Sequence, residues 1–432
     1  MTETPVTVVG AGLAGSEAAW QLAKRGHSVR LVEMRPGRYQ PAHHTDSFAE
    51  LVCSNSLRSD RTENAVGLLK EEMRRLDSLI LRCADATRVP AGGALAVDRD
   101  GFSRMVTDTL STMSNIEIVR EEITEIPASP AIIATGPLTD GALYDSIEKL
   151  AGTSLHFYDA AAPIVYKDSL DMSKVYAASR YGRGEDYLNC PMDREQYFTF
   201  VRELVSAERA LLHPFETMRV FEGCMPVEVM AARGELTLAY GPLKPIGLEI
   251  DGKLPFAVVQ LRQDDAEGTM YNLVGFQTNL RFGEQKRVFG LIPGLENAEY
   301  ARFGVMHRNT FLPSPGLMNW DYSLRSDPLL YFAGQITGVE GYVESASSGL
   351  MAALSLHEKL QGREPADFTD RTACGALGHY VSGYNGSDFQ PMNITFGLMA
   401  APETRIRNKQ QKCRHIAERA LSLIEEKKNQ IM

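Results

Sequence analysis

Apolar positions in this chain fall into short unbroken blocks near both ends and into a looser, mixed pattern in the middle. Val6-Thr-Val-Val9 reads as a buried strand that stops at Gly10-Ala11-Gly12-Leu13-Ala14-Gly15, and helical spacing then runs to about Arg25, where Gly26 ends it. Ser28 to Val32 reads as a second strand, and Glu33 closes it 18 residues after Gly15. Further on, "AIIATGP" (131–137) and "LLYFA" (329–333) are apolar blocks that each end on a glycine. The second continues through Gly334 and Gln335 into a helix that starts among Gly341, Glu344, Ser345 and Ala346. From Gly136 to about Arg325 the pattern changes to the strand-like runs "PFAVVQLRQ" and "MYNLVGFQTNL" and a helical stretch near 193–212; a last helix is expected from about Glu403 to Lys428. These elements predict an α/β fold with a Rossmann-like domain assembled from 1–136 and 326–365. An α+β domain is inserted over 137–325, and an extension ending in a basic helix covers 366–432.

The first strand, turn and helix have the order and spacing of a dinucleotide fingerprint. Gly10 permits the tight turn, Gly12 lets backbone approach a pyrophosphate, and Gly15 lets the helix lie close to the strand, with Ala11, Leu13 and Ala14 completing the turn. The helix N-terminus then faces the phosphates, and Glu33 accepts from ribose hydroxyls. The late strand-glycine-helix unit at Gly334, Gln335, Gly341, Glu344 and Ser345, with the Ala-Thr-Gly strand in mid-chain, resembles flavoproteins of the glutathione-reductase type. In those proteins such a unit returns to the first domain and holds the flavin end of FAD. That resemblance favours FAD over NAD alone, which needs no such third piece.

Composition narrows the setting. The chain has 432 residues, 44% hydrophobic and 23% charged, enough for a large core and two or three structural units. No apolar run approaches the roughly 20 residues of a membrane span and no secretory signal opens the chain, so a cytoplasmic protein without membrane contact is expected. Six cysteines, at 53, 83, 190, 224, 374 and 413, form no C-x-x-C pair, which argues against a disulfide framework, a zinc site or a dithiol redox centre. The net charge of -10 opposes indiscriminate binding to nucleic acid, so an RNA partner requires a local basic patch. Arg405, Arg407, Lys409, Lys412 and Arg414 provide one, within ten residues of the last helix.

Several strings taken together, "GAGLAGSEAAW", "EMRP", "AELVCSNSLRSD", "FEGCMPVEVMAARG", "VVQLRQDD", "GFQTNL", "EQKRVF", "IPGLENAEYARFGVMHRNTF" and "FAGQITGVEGYVESASSGL", resemble the folate- and FAD-dependent tRNA (uracil-5-)-methyltransferase family over nearly the whole chain. The resemblance implies methylation of carbon 5 of the T-loop uridine of tRNA. Methylenetetrahydrofolate is then the carbon donor, and NAD(P)H is the reductant acting through FAD, which serves as both carbon carrier and reductant. Because carbon 5 of uracil is a poor nucleophile, a thiolate must first add to carbon 6. The resemblance puts Cys224 forward for that role and Cys53 as its partner in proton transfer or flavin protection, without deciding which does which. Arg219 or Arg233 would help ionise the nucleophile, whereas Glu222 and Glu228 would oppose it. Arg281, Lys286, Arg287, His307 and Arg308 fall among the same strings and are expected to meet tRNA phosphates or folate carboxylates; Tyr342 is a candidate to stack on a ring. No metal and no stable protein partner are expected.

Four other readings compete. Ribosomal RNA is an alternative target for the same chemistry. A GidA-like wobble-uridine enzyme shares the fingerprint and the "FAGQ" region but carries a longer C-terminal region and works with a GTPase. A disulfide reductase needs a close cysteine pair, and a non-enzymatic flavin-holding module would bind tRNA without changing it.

Overall fold

The computed structural model describes residues 4–152, 155–182, 184–210 and 225–431. Its first sheet has five parallel strands in the order Leu330–Phe332, Ala131–Ile133, Val6–Val9, Val29–Val32 and Ile116–Val119. Val8 pairs with Leu31 on one side and Ile132 on the other. Strands covered by layers on both faces have no solvent side, so they read as continuous apolar runs instead of alternating ones. Strand order reverses at Val6–Val9, which opens a crevice beyond the carboxyl ends of the central strands.

Two glycines make the covering layer possible. A Cβ on Gly15 would stand 1.8 Å from the Gly10 carbonyl oxygen, and one on Gly349 would stand 2.1 Å from the Ala14 oxygen. The Leu13–Lys24 helix is thus pressed between the first strand and the Tyr342–Leu360 helix, with backbone against backbone on both sides. Nothing larger than hydrogen fits at either position.

Residues 56–97 add a three-stranded antiparallel sheet with two helices, Ala65–Arg75 and Leu79–Ala86. The insertion is built on six strands in the order Tyr176–Ala177, Tyr187–Met192, Ala257–Gln263, Met270–Leu273, Ile164–Tyr166 and Tyr300–Arg302, every pair antiparallel. Helix Arg194–Ser206 packs on it, started by a capping box in which Asp193 and Gln196 each accept the other's backbone N–H at 2.9 Å. A two-stranded ribbon, Leu155–Ala160 with Met306–Phe311, carries the chain into the insertion and back.

The described residues form two main cores. The insertion's core draws on Ala162 to Leu295, with Phe200, Phe276 and Phe289 at its centre. The first core takes in much more, including Leu143 and Ile147 from the Gly141–Ala151 helix, Phe311 to Leu324, and the C-terminal region through Ile416, Ala417, Ala420 and Ile424. The C-terminal segment is therefore packed onto the first domain, where its Lys409–Ile431 helix lies against Ala65–Arg75. Element boundaries differ from the expectations in places. The helix expected over 193–212 ends at Ser206, the last begins at Lys409 instead of Glu403, and "MYNLVGFQTNL" is a strand only over Met270–Leu273. Beyond Leu273, Gly275 takes a φ of +81° and the chain turns toward the Val227–Ala232 helix, leaving the ladder.

Candidate cofactor and catalytic site

A long cleft runs along the crevice predicted by the strand order, enclosing about 1140 Å³ when space open to solvent is counted. Gly10, Gly12, Leu13 and Ala14 form its floor, Glu33, Arg35, His43 and Glu50 stand at one end, and Gly334, Gln335, Tyr342 and Ser345 at the other. Gly12 has no atom within 4 Å of where a Cβ would stand, and neither has Gly136 across the cleft. Backbone there is bare and approachable, and the 12-residue helix starting at Leu13 presents its free N–H groups to the same space.

The end at Glu33 is built by charge. The Glu33 carboxylate accepts from the Ala11 N–H at 3.0 Å, the Arg35 N–H at 3.1 Å and the Arg35 Nε at 2.9 Å; Arg35 also reaches Glu50 at 3.0 Å. Burial by itself would raise the Glu33 carboxyl, but the hydrogen bonds and charge of Arg35 outweigh it and hold the group below its ordinary value. Beside them, burial and the Arg35 charge push His43 down to about 4, so it is neutral at pH 7, and its Nδ1 has no partner among the described residues. Thr45 Oγ1 is likewise buried without one. Bare backbone, a fixed acceptor and the orphaned His43 Nδ1 suit a nucleotide, and a cleft of this volume has room for a dinucleotide. Arg35, His43 and Glu50 were missed in the sequence; "EMRP" was the only signal, and it does not say that Arg35 folds back onto Glu33.

Of the residues predicted to touch the cofactor, Gly10, Gly12, Leu13, Ala14, Glu33, Gly334, Gln335 and Ser345 line the cleft. Ala11 and Gly15 lie behind the floor: Ala11 is fully buried and fixes Glu33 through its N–H. Gly341 and Glu344 lie behind the wall. Glu344 is fully buried, and its carboxylate accepts from the Arg58 guanidinium and from the Ile394 N–H at 3.0 Å. A Cβ on Gly341 would press on that carboxylate at 2.6 Å. Glu344 thus ties the helix start to two other segments.

Cys53 sits on a loop fastened to the cleft wall. The Tyr342 hydroxyl accepts the N–H of Cys53 at 2.7 Å and of Ser54 at 3.1 Å, while both Tyr342 and the neighbouring Val52 line the cleft. The Cys53 Sγ is 3.7 Å from the Ala160 carbonyl, where the ribbon enters the insertion. Cys224 and Arg219 lie outside the described residues, as do the side chains of His307 and Arg308. Just past Cys224 the chain is anchored: Met225 is buried, the Val227 N–H donates to Gln277 O at 2.7 Å, and Glu228 accepts from Thr278 Oγ1 at 2.9 Å and the Asn279 N–H at 2.8 Å. That packing joins the start of the Val227–Ala232 helix to the Gln277–Asn279 segment. Burial raises the Glu228 carboxyl, in the direction of the neutral form that opposes a nearby thiolate least.

The basic residues divide into two kinds. Arg281 is paired with Glu208, and Arg287 with Glu203 and with Glu284 at 2.7 Å; Lys286 Nζ stands 5.6 Å from the Phe303 ring centroid. Arg405, Arg407, Lys409 and Lys412 are exposed and make no ion pair among the described residues, and Arg414 is 4.0 Å from Glu63. No helix among the described residues is long and apolar enough to cross a membrane, and no cluster of three or more His, Cys, Asp or Glu there is arranged for a metal.

Comparison with known proteins points the same way. The glucose inhibited division protein A family matches residues 5–364. Methylenetetrahydrofolate–tRNA-(uracil-5-)-methyltransferase TrmFO of Acetivibrio thermocellus is 58% identical over 427 residues, covering 98% of both chains. TrmFO of Desulforamulus reducens is 59% identical over 431 residues, 99% of this chain and 98% of that one. Among solved structures, Aquifex aeolicus GidA superposes with a TM-score of 0.70 at 16% identity, over 99% of this chain and 74% of that one.

Proposed function

The chain belongs to the GidA family and to its methylenetetrahydrofolate–tRNA-(uracil-5-)-methyltransferase members, and from that premise we propose that its cleft binds FAD and that Cys224 and Cys53 act together on the uridine of the tRNA T-loop. The protein methylates carbon 5 of a tRNA uridine with methylenetetrahydrofolate as carbon donor. One observation carries the site assignment: the loop holding Cys53 hangs on the hydroxyl of Tyr342, a residue of the cleft wall. A thiol is thereby held against the cleft wall, where this reading puts the cofactor's reactive end.

When bound, FAD supplies the relay for the one-carbon unit and the two electrons that finish the methyl group, with NAD(P)H restoring them. The protein's own work is nucleophile, base and orientation. The Cys224 thiolate adds to carbon 6, and the electrons of the 5,6 double bond pass to carbon 5 and the ring carbonyl. Carbon 5 then bonds to the donated methylene. Cys53 takes the proton from carbon 5 as the methylene parts from its carrier, leaving an exocyclic methylene; a hydride added to that carbon makes the methyl group and expels the Cys224 thiolate as the ring double bond re-forms. Ala11 and Arg35 keep Glu33 charged where it would accept from a ribose, and the N-terminus of the Leu13–Lys24 helix would face the pyrophosphate. The exposed cations from Arg405 to Arg414 are the surface best suited to tRNA phosphates, because no carboxylate among the described residues neutralises most of them.

The test is incubation of the FAD-loaded protein with unmodified tRNA, labelled methylenetetrahydrofolate and NADH, without S-adenosylmethionine, followed by mapping of the label. Label in 5-methyluridine of the T-loop is the expected result, with Cys224→Ala and Cys53→Ala each abolishing it. A Cys224→Ala protein that methylates as fast as the parent removes the nucleophile assignment.

A further inference from the structure

The Cys53 loop is gripped by three arginines from three different elements. Arg99, first residue of the Arg99–Ser111 helix, donates through Nη1 to Leu51 O. Arg302, at the end of the Tyr300–Arg302 strand, donates to Val52 O at 3.3 Å. Arg262, inside the Ala257–Gln263 strand, reaches Ser54 Oγ at 2.7 Å and Asn55 Oδ1 at 3.0 Å. Asn55 completes the splice by donating through Nδ2 to Gln263 O at 2.8 Å.

Among the described residues, only one of these cations has a carboxylate in contact. Arg99 is paired with Asp264 through Nε at 3.1 Å and Nη2 at 3.0 Å. Arg262 is 8% exposed, and its hydrogen-bond acceptors, Ser54, Asn55 and Asn272 (at 3.4 Å), are all neutral. A buried guanidinium without a counter-charge is costly, because hydrogen bonds to neutral groups replace only part of its hydration. Tyr342, from the facing helix, contributes a hydroxyl that burial keeps protonated. A negative charge on Cys53 would be felt by Arg99, Arg262 and Tyr342. Among the other described neighbours, Glu50 shares Arg35 with Glu33 and acts on Arg302 without touching it, the Tyr187 hydroxyl donates to Ala91 O, and burial and the charge of Arg302 hold His44 toward its neutral form. Among the described residues, three cations against one contacting carboxylate favour negative charge on the loop, set against the Ala160 carbonyl 3.7 Å from the Cys53 Sγ, and the Cys53 thiol is the acidic group placed to supply it.

We propose that Arg262, supported by Arg302 and Arg99, is a positioning residue that keeps Cys53 ionised near neutral pH and fixes it relative to the cleft, so that strand Ala257–Gln263 of the insertion sets the charge state of a thiol in the cofactor domain. The proton released on ionisation passes to solvent. This rests on the reading of Cys53 as part of the reaction site, yet its test does not depend on methylation. Cys53 in the full-length, FAD-loaded protein is alkylated with iodoacetamide across pH 5 to 10, and its peptide is followed by mass spectrometry.

The parent should show a midpoint clearly below the roughly 8.5 of an ordinary thiol. Arg262→Met should raise that midpoint and slow alkylation at pH 7 by about tenfold, and Arg262→Lys should restore part of the rate. Arg302→Met, at a more exposed position, should move the midpoint the same way and serves as the readout if Arg262→Met does not fold. A purely mechanical brace would alter the limiting rate and leave the midpoint unchanged. A parent midpoint at or above the ordinary value, or unchanged midpoints in the variants that fold, overturns the proposal. Methylation that survives Cys53→Ala would refute the role of Cys53 while leaving the midpoint result standing.

Discussion

Gly12 and Gly15 belong to the same six-residue turn, and the structure requires their alanine variants to fail in opposite ways. Gly12 has φ −72° and ψ −166°, which any residue adopts, and nothing lies within 4 Å of its missing Cβ. Alanine there gains about 0.4–1 kcal/mol from a stiffer unfolded chain, offset by about 0.5–1 kcal/mol because alanine caps a helix less well than glycine. The cofactor-free protein should therefore unfold within about 0.5 kcal/mol of the parent. The new methyl, however, stands in the cleft where backbone is meant to meet a pyrophosphate. Losing one charge-assisted N–H bond costs about 1.5–3 kcal/mol, or roughly 10- to 100-fold in Kd. At Gly15 the methyl meets the Gly10 carbonyl oxygen at 1.8 Å. Relief requires the helix to retreat by roughly 1.5 Å, into a neighbour where Gly349 already leaves no slack. Such overpacking costs at least about 3 kcal/mol, seen as a fall of about 5 °C or more in the cofactor-free melting temperature. The assays are thermal unfolding of the stripped proteins and titration with FAD followed by flavin fluorescence. A Gly12→Ala protein that binds FAD with the parent's Kd, or a Gly15→Ala protein as stable as the parent, would refute this account of the cleft.

Other outcomes follow from the charges. Reversing Lys409 and Lys412 to Glu should flatten the dependence of log Kd for tRNA on log salt by about 0.7–0.9 for each phosphate no longer neutralised; reversing Arg287, already held by Glu203 and Glu284, should change that slope less. Equal effects would show that pairing on the protein does not decide which cations meet RNA. Glu72 is fully buried and accepts the N–H groups of Ala373 at 2.7 Å and Cys374 at 2.9 Å, and burial pushes its carboxyl from 4.5 up to about 7. Its folded pKa lies above the unfolded one, so the folded state binds more protons between those values and this contribution is lost as pH rises from 4.5 through 7. The loss amounts to about 3 kcal/mol, at about 1.36 kcal/mol per pH unit. Urea unfolding at pH 5, 6, 7 and 8 should show the parent losing more stability over this range than Glu72→Gln, and parallel profiles would contradict it.

Features whose cause is local were legible without the fold. Val6–Val9, the glycine turn and the helix after it are specified by residues a few positions apart, because a buried parallel strand must be continuously apolar and a tight turn needs glycine. The late strand at Leu330–Phe332 could be read for the same reason, as could the end of the cleft marked by Gly334 and Gln335. Element ends were less legible. Where the Arg194–Ser206 helix stops, and where "MYNLVGFQTNL" leaves its ladder, depends on what the segment packs against. What each polar group does emerged only in three dimensions. Glu344 stands at a helix start, where a ligand contact was expected, yet its carboxylate is taken by Arg58 and Ile394. Arg99, Arg262 and Arg302 lie up to 203 positions apart in number and meet on one loop. A charge acts through space over several ångströms regardless of chain separation, whereas hydrophobic periodicity is written along the chain, so the frame of this protein could be read from its sequence while the partners of its buried charges required the fold.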